Sequence, residues 1–347
     1  MAHRTFLFGT IFAAALAFAG LRDAVFAQSP PDRSRPMTII TSSPPGGGYD
    51  AYSRLLSRYM PRYLPGNPTI IVQNMPGGAG IRAANYLYNI APKDGSTFAL
   101  LDRAVGTAPL LYGEESKAQF EATKFNWIGS VMRENGMTVL ASSAPVSTIE
   151  DARRREVIVG STGPEQDTSM YPRLLNELLG TKFKVIFGYA GQPEIFQAVE
   201  RGELQGLFMS GWSGNGRAYV RERMSRRQMK LLLQISSTGD PQHKDTPTIV
   251  EMVTRPEDRE IVDLLLSRLS LGRPFMAPPG VPAERVAELR KAFRQAIEDP
   301  DLRAEAAQQR LAIDPIWGEE AQEIITRVYR ADPALVKRTR DIVRVAQ

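Results

Sequence analysis

The sequence contains no cysteine and only two histidines, and each shortage closes a class of chemistry. Without thiols there is no disulfide framework, no cysteine nucleophile and no thiolate metal site. A chain of 347 residues can bury a sizeable core without disulfides, so their absence still allows a large fold outside the cytoplasm. One histidine, His3, lies at the extreme N-terminus. The other, His243, sits in the polar stretch Asp240-Pro241-Gln242-His243-Lys244-Asp245, which reads as a surface loop. A serine-histidine-aspartate triad would have to use His243, and a histidine-rich metal site is excluded. A carboxylate site for a hard cation stays open. Charge of one sign is scarce too. Forty-three basic residues face 38 acidic ones, and basic runs occur only at 153–155 and 221–227. Neither run is interleaved with aromatics, so both read as solvated faces and no nucleic-acid partner is inferred.

Long hydrophobic runs are missing after the first 20 residues, and none later approaches the length of a membrane span. The N-terminus is different. A basic start with Arg4, an uncharged apolar run from Leu7 to Gly20, and the small-residue site Val25-Phe26-Ala27 read as a signal peptide, residues 1–27, cleaved before Gln28. That segment carries Arg4, Arg22 and Asp23, a net of +1, so its loss lowers the formal charge from +5 to +4. The mature protein is then expected in the periplasm, opening with a proline-rich tail at 28–35.

Two glycine-rich turns organise the mature chain. The first, Pro44-Pro45-Gly46-Gly47-Gly48-Tyr49-Asp50, lies between an apolar strand at 37–41 and a helix from about 49 carrying Tyr52, Leu55, Leu56, Tyr59 and Met60 at helical spacing. The second, Asn74-Met75-Pro76-Gly77-Gly78-Ala79-Gly80, joins a strand at 69–73 to a helix from about 79. Bare main chain before a helix N-terminus favours an anion, and a carboxylate is the expected guest. A strand at 97–101 continues the alternation, which specifies an α/β layer with a mostly parallel sheet.

A looser stretch containing Trp127 comes next, then a strand at 137–141. Ser147-Thr148-Ile149-Glu150 reads as a capping box opening a short helix. A second βα series begins there, with strands at 157–160, 183–187, 204–209 and 230–235 and helices at 168–179 and 193–200. The end of the chain differs: an apolar segment at 271–277 precedes helices at 283–298, 300–310, 318–330 and 333–345, with no new strands expected. These helices are expected to return to the first layer. Domain 1 would comprise 36–141 and 269–347, domain 2 would be 142–268, and two crossings would form a hinge.

The order Pro-Gly-Gly-Gly-x-Asp (45–50), Asn-x-Pro-Gly-Gly-Ala-Gly (74–80) and Ala-Pro-Lys-Asp-Gly-Ser-Thr (91–97) resembles the Bug family, extracytoplasmic receptors of tripartite tricarboxylate transporters. Asp245-Thr246-Pro247-Thr248-Ile249-Val250-Glu251 is similar to that family's Val-Pro-Thr-x-x-Glu signature, and Ala277-Pro278-Pro279-Gly280-Val281-Pro282 precedes the closing helix. The resemblance implies a type II periplasmic binding protein fold, two α/β domains with a ligand cleft between them. It further implies a small organic carboxylate as ligand, membrane transporter subunits as partners, a monomer, no cofactor and no enzymatic activity. A sensor acting on a membrane signalling protein is the alternative. Residue by residue it points to Gly46, Gly47, Gly48 and Asp50, and to Gly77, Gly78, Ala79 and Gly80. The loop 161–169 would meet the ligand's far end, with Thr162, Gln166, Thr168 and Ser169. Pro164, Glu165 and Gln166 depart there from the family's small residues, and Gln205 stands where aspartate is common.

Single residues admit two readings. Arg103 could fork onto an anion or be a surface arginine beside Asp102. Asp50, at a helix first turn, reads on its own as a dipole-stabilising residue that orders the turn. Tyr189 could wall the cleft or pack in the core, and so could Trp212. The rival fold-level reading is a dinucleotide fingerprint at Gly78-Ala79-Gly80-Ile81-Arg82-Ala83. No acidic residue ends a following strand at the required distance, since Asp94 falls in a turn.

Overall fold

The computed structural model describes residues 35–163, 166–209, 211–212 and 214–344. The expected signal peptide and its cleavage site lie outside the described residues. Eleven strands are present among them: β1 (Met37–Thr41), β2 (Ile70–Asn74), β3 (Thr97–Leu100), β4 (Asn126–Ser130), β5 (Gly136–Ala141), β6 (Val157–Gly160), β7 (Phe183–Ile186), β8 (Gly206–Met209), β9 (Met229–Ile235), β10 (Pro274–Ala277) and β11 (Ile316–Trp317). They form two sheets, in the orders β11-β4-β10-β3-β1-β2 and β7-β6-β8-β5-β9.

Both sheets are mixed. In the first, β1 pairs in parallel with β2 and β3, while β10 inserts antiparallel between β3 and β4. In the second, β6 is parallel to β7 and β8, and β5 is antiparallel to β8 and β9. The expectation of a closing segment without strands is therefore corrected. Residues 274–277 and 316–317 both add to the first sheet, and the stretch around Trp127 is itself β4. Trp127 is fully buried, with its indole N–H on the Ala122 carbonyl at 3.0 Å. A strand buried on every side shows no alternation, and that is why it reads as irregular.

The helix Gly48–Tyr59 forms because Tyr52, Leu55, Leu56 and Tyr59 share one buried face, with Asp50 in its first turn and Arg58 in its last. The capping box lies one residue later than the sequence suggested. Thr148 is the cap and Asp151 its partner, and the Asp151 carboxylate accepts from both Ser147 and Thr148 amides. The Pro-Thr-x-x-Glu signature is a second capping box, Thr248 with Glu251, at the start of Ile249–Met252. Gln205 ties β6 to the segment before β8: its side chain accepts from the Ile158 amide at 2.8 Å while its own amide donates to the Ile158 carbonyl.

One apolar cluster runs through both layers, joining Ile40, Leu101 and Ile325 to Leu140, Tyr171 and Phe208. The last helix, Pro333–Val343, lies against Ala108–Tyr112, Pro256–Ser270 and also Asp167–Leu179, the helix that comes after β6. It therefore reaches the second sheet's layer as well as the first's. Among the described residues no helix is long and apolar enough to cross a membrane.

Candidate functional site

The first glycine-rich turn is held from within. Asp50 is buried, and one of its carboxylate oxygens accepts from the Gly46 amide and from Arg54 Nε, each at 2.9 Å. The other accepts from the Asn74 side chain at 2.8 Å, while the Asp50 amide donates to Ser43 Oγ at 3.0 Å. Burial pushes the Asp50 carboxyl up. The bonds from Arg54, Gly46 and Asn74 outweigh that and hold it below the usual carboxylate range. Asp50 thus orders the turn.

The second turn is unusual in its backbone. Gly77, Gly78, Ala79 and Gly80 have φ of 134°, 54°, 48° and 88°, four successive positive values leading into the helix Ile81–Asn89. Gly80 is required twice over, since a Cβ there would also lie 3.1 Å from Asp102 Cβ. Asp102 in turn caps the short helical turn Arg103–Gly106 by accepting from the Ala104 amide at 2.8 Å. That cap places Arg103 directly after β3, turned inward.

Arg103 is not a surface arginine. Its guanidinium bonds Glu134 with one terminal nitrogen and Asp167 with the other, and all three side chains are buried or nearly so. Glu134 also receives Arg273 at 2.8 Å, and Asp167 has Arg268 at 3.4 Å. Arg273 stacks over the Tyr49 ring at 4.4 Å, and the Tyr49 hydroxyl accepts from the Arg103 amide at 3.2 Å. Five charged side chains therefore form one buried chain from the short helical turn after β3 (Arg103), both passages between the sheets (Glu134, Arg268, Arg273) and the helix after β6 (Asp167). Three guanidiniums meet two carboxylates within this chain, and the Asp102 carboxylate also acts on Arg103.

The charges are mutually supporting. Burial alone would raise the Asp167 carboxyl, but Arg103 and Arg268 reverse this and hold it below its ordinary value. Burial would lower the Arg103 guanidinium, and Glu134 and Asp167 instead drive it well above its ordinary value. Tyr49 is raised above the usual phenol range, first by burial and then by Asp102.

A cavity of about 350 Å3 opens beside this chain, walled by Gly78 and Ala79 of the second turn, Arg103, Gln166, Asp167 and Arg268. Four of the residues singled out in the sequence, Gly78, Ala79, Arg103 and Gln166, thus line one space. Gly77 and Gly80 flank it in the same turn. Gly46, Gly47, Gly48 and Asp50 do not line it; Gly48 lies beside the Arg273 guanidinium instead. Thr168 is buried and bonds Ser161 Oγ at 2.9 Å and the Thr162 amide at 3.2 Å, fastening the loop. Ser169 accepts from Arg173 at 2.9 Å, and Tyr189 packs against the apolar cluster around Ile195 and Leu207.

Trp212 is buried with its indole N–H on Asp240 at 2.9 Å, and His243 is partly buried with its ring 5.4 Å from that indole, not in a free surface loop. Sequence reasoning missed Glu134, Asp167, Arg268 and Arg273. One signal was available: Arg268 lies among Leu264, Leu265, Leu266 and Leu269 in the leucine-rich second half of its helix.

The family model for the tripartite tricarboxylate transporter family receptor matches residues 54–337. Among solved structures, a TctC solute-binding protein from Polaromonas, without ligand, is 21% identical with a TM-score of 0.69, covering 89% of this chain and 98% of its own. MatC from Rhodopseudomonas palustris, with bound malate, is 19% identical with a TM-score of 0.59 over 89% and 99%. A second R. palustris protein, with adipate, is 17% identical with a TM-score of 0.58 over 89% and 96%. No curated protein sequence matches the chain. At these identities the structures speak to fold alone. The family model spans most of the sequence from the first glycine-turn helix to the last helix, and the chain belongs to the tripartite tricarboxylate transporter family of receptors.

Proposed function

We propose that this protein is a periplasmic solute-binding receptor that captures a small organic carboxylate and delivers it to a tripartite tricarboxylate-type membrane transporter. The observation that carries this reading is the pair of buried guanidiniums, Arg103 and Arg268, on the wall of a cavity of about 350 Å3 that they share with the second glycine-rich turn. Guanidiniums held in such a wall donate charge-assisted hydrogen bonds to a carboxylate. The volume falls at the lower end of ordinary small-molecule sites, which suits a small ligand. The bound malate and adipate of two structures with this fold are of the same chemical class.

The two sheets would act as lobes. The first, with the second glycine-rich turn and Arg103, supplies carboxylate recognition, and the second, through the start of the helix Asp167–Leu179, shapes selectivity. A thermal-shift screen of the mature protein against mono-, di- and tricarboxylates tests this. A ligand at a hundred times its Kd stabilises the folded state by about 2.7 kcal/mol, a clear rise in Tm. A panel without any carboxylate that raises Tm would remove the reading.

A further inference from the structure

The two basic runs of the sequence, 153–155 and 221–227, are brought together by the second sheet. Its pairing puts the end of β5 and the starts of β6, β7, β8 and β9 at one end, opposite the end where β6 leads to Gln166 and Asp167 on the cavity wall. The loop 142–147 stitches the runs together there. The Ser142 amide donates to the Gln228 carbonyl at 2.8 Å, Lys230 Nζ donates to the Ala144 carbonyl and Ser147 Oγ at 3.1 Å each, and Arg155 donates to the Pro145 carbonyl at 3.3 Å. Lys182 joins them through its amide, which donates to the Ala152 carbonyl at 2.8 Å.

Much of the positive charge at this end is not matched by carboxylate. Arg153, Lys184 and Arg226 lie 3.9, 3.8 and 2.7 Å from Glu150, Glu156 and Glu222. Arg154, Arg155, Lys182, Arg227 and Lys230 form no ion pair among the described residues, and the first four of them are exposed. Against these five stand two carboxylates. Asp151 is occupied by the Ser147 and Thr148 amides, and Glu177 is exposed near the end of the helix Asp167–Leu179.

Resting on the periplasmic placement of the receptor reading, we propose that this end of the second lobe is an electrostatic docking surface for anionic phospholipid head groups, which holds the receptor at the bilayer and leaves the cavity side of the lobe clear. A protein partner fits less well. Protein interfaces draw affinity from buried apolar and aromatic anchors, and the exposed large hydrophobic side chains among the described residues are Ile71, Ile90, Ile186 and Phe187. The first two belong to the first sheet's layer, and the other two lie at the opposite end of β7. A charged bilayer asks only for long, solvated cations. Each Lys or Arg near such a surface raises partitioning about fivefold, and the attraction fades within a Debye length of about 8 Å at physiological salt. The contact is therefore weak and reversible, so the receptor can leave the membrane to collect ligand and return.

The test is flotation of the mature protein with vesicles of mixed phosphatidylglycerol and phosphatidylcholine, against vesicles of phosphatidylcholine alone, at low and at physiological salt. The expected result is binding to the anionic vesicles only, weakening as salt is added. The double variant Arg154→Glu/Lys182→Glu should lower partitioning by about 25-fold or more. Lys93→Glu/Lys291→Glu makes the same change in net charge at exposed positions of the first lobe and should stay within about twofold of wild type. Binding to neither vesicle, equal binding to both, or equal losses in the two double variants overturns the proposal, the last by showing attraction to net charge alone. The wild-type comparison of the two vesicles holds even where a variant does not fold. This proposal and the receptor reading fail separately, since vesicle binding requires no carboxylate and the thermal-shift screen requires no lipid.

Discussion

The side-chain amide of Asn74 donates to the Asp50 carboxylate across 2.8 Å, and the same amide group reaches the Ser43 carbonyl at 2.9 Å. Asn74 ends β2 and opens the second glycine-rich turn, whereas Asp50 and Ser43 belong to the first. The two turns are therefore one fastened unit, adjacent at the ends of neighbouring parallel strands.

Replacing Asp50 with alanine leaves the Gly46 amide, Asn74 and Arg54 without their acceptor. The expected cost is about 3 kcal/mol of stability, measured as a fall in the urea midpoint, with Asn74→Ala costing roughly a third of that. A midpoint for Asp50→Ala equal to wild type would show that the carboxylate does not hold the turn.

Arg103→Met takes away the guanidinium shared by two buried carboxylates, leaving Glu134 with Arg273 and Asp167 with the more distant Arg268, and should destabilise by about 3 kcal/mol. Adding Asp167→Asn removes the carboxylate left with the weaker partner, so the double variant should be more stable than the sum of the single losses predicts. A double-mutant cycle by chemical denaturation reads this coupling directly, and strict additivity would contradict the buried chain.

The pH dependence has a definite sign. Asp167 is held below its ordinary value in the folded state, so its ionised form contributes stability above the unfolded carboxyl's pKa, near 3.9. That contribution is lost as pH falls through the folded value. Acid unfolding of the wild type should therefore be steeper than that of Asp167→Asn in the range below about pH 4. Parallel curves would mean that Asp167 has the same affinity for protons folded and unfolded.

Gly78→Asp places a carboxylate on the cavity wall at a residue with φ of 54° and open space around its Cβ, the nearest atom being Ile81 Cβ at 3.7 Å. Backbone strain should cost about 1 kcal/mol, and the best carboxylate should bind at least about tenfold more weakly. Gly180→Asp is the control. It has φ of 69°, nothing within 4 Å, and a place at a helix end outside the cavity lining, so it shares the backbone cost without the loss of affinity. Equal effects of both substitutions on binding would separate the second turn from the ligand.

Much of the fold is legible locally. β1 and β6 run as their apolar stretches indicate, and the helix Ala283–Glu298 matches its periodic pattern residue for residue. Both glycine turns fall where the strand-to-helix change demands them. The failures are of one kind. β4 lacks alternation because it is buried on every side, and β10 pairs antiparallel with strands more than 140 residues earlier, a partnership with no local signature. The Ser147 cap reading missed by one position because Thr148 and Asp151 satisfy the same spacing.

What the amino-acid sequence determined by itself was the α/β alternation, the two bare turns and the membership of a receptor family, because each is written in neighbouring residues. Only the tertiary structure decided which charges are buried. Arg103, Glu134, Asp167, Arg268 and Arg273 are indistinguishable in a linear chain from dozens of solvated ones. They become a site because the passages between two sheets bring them within ion-pair reach of one another and away from water.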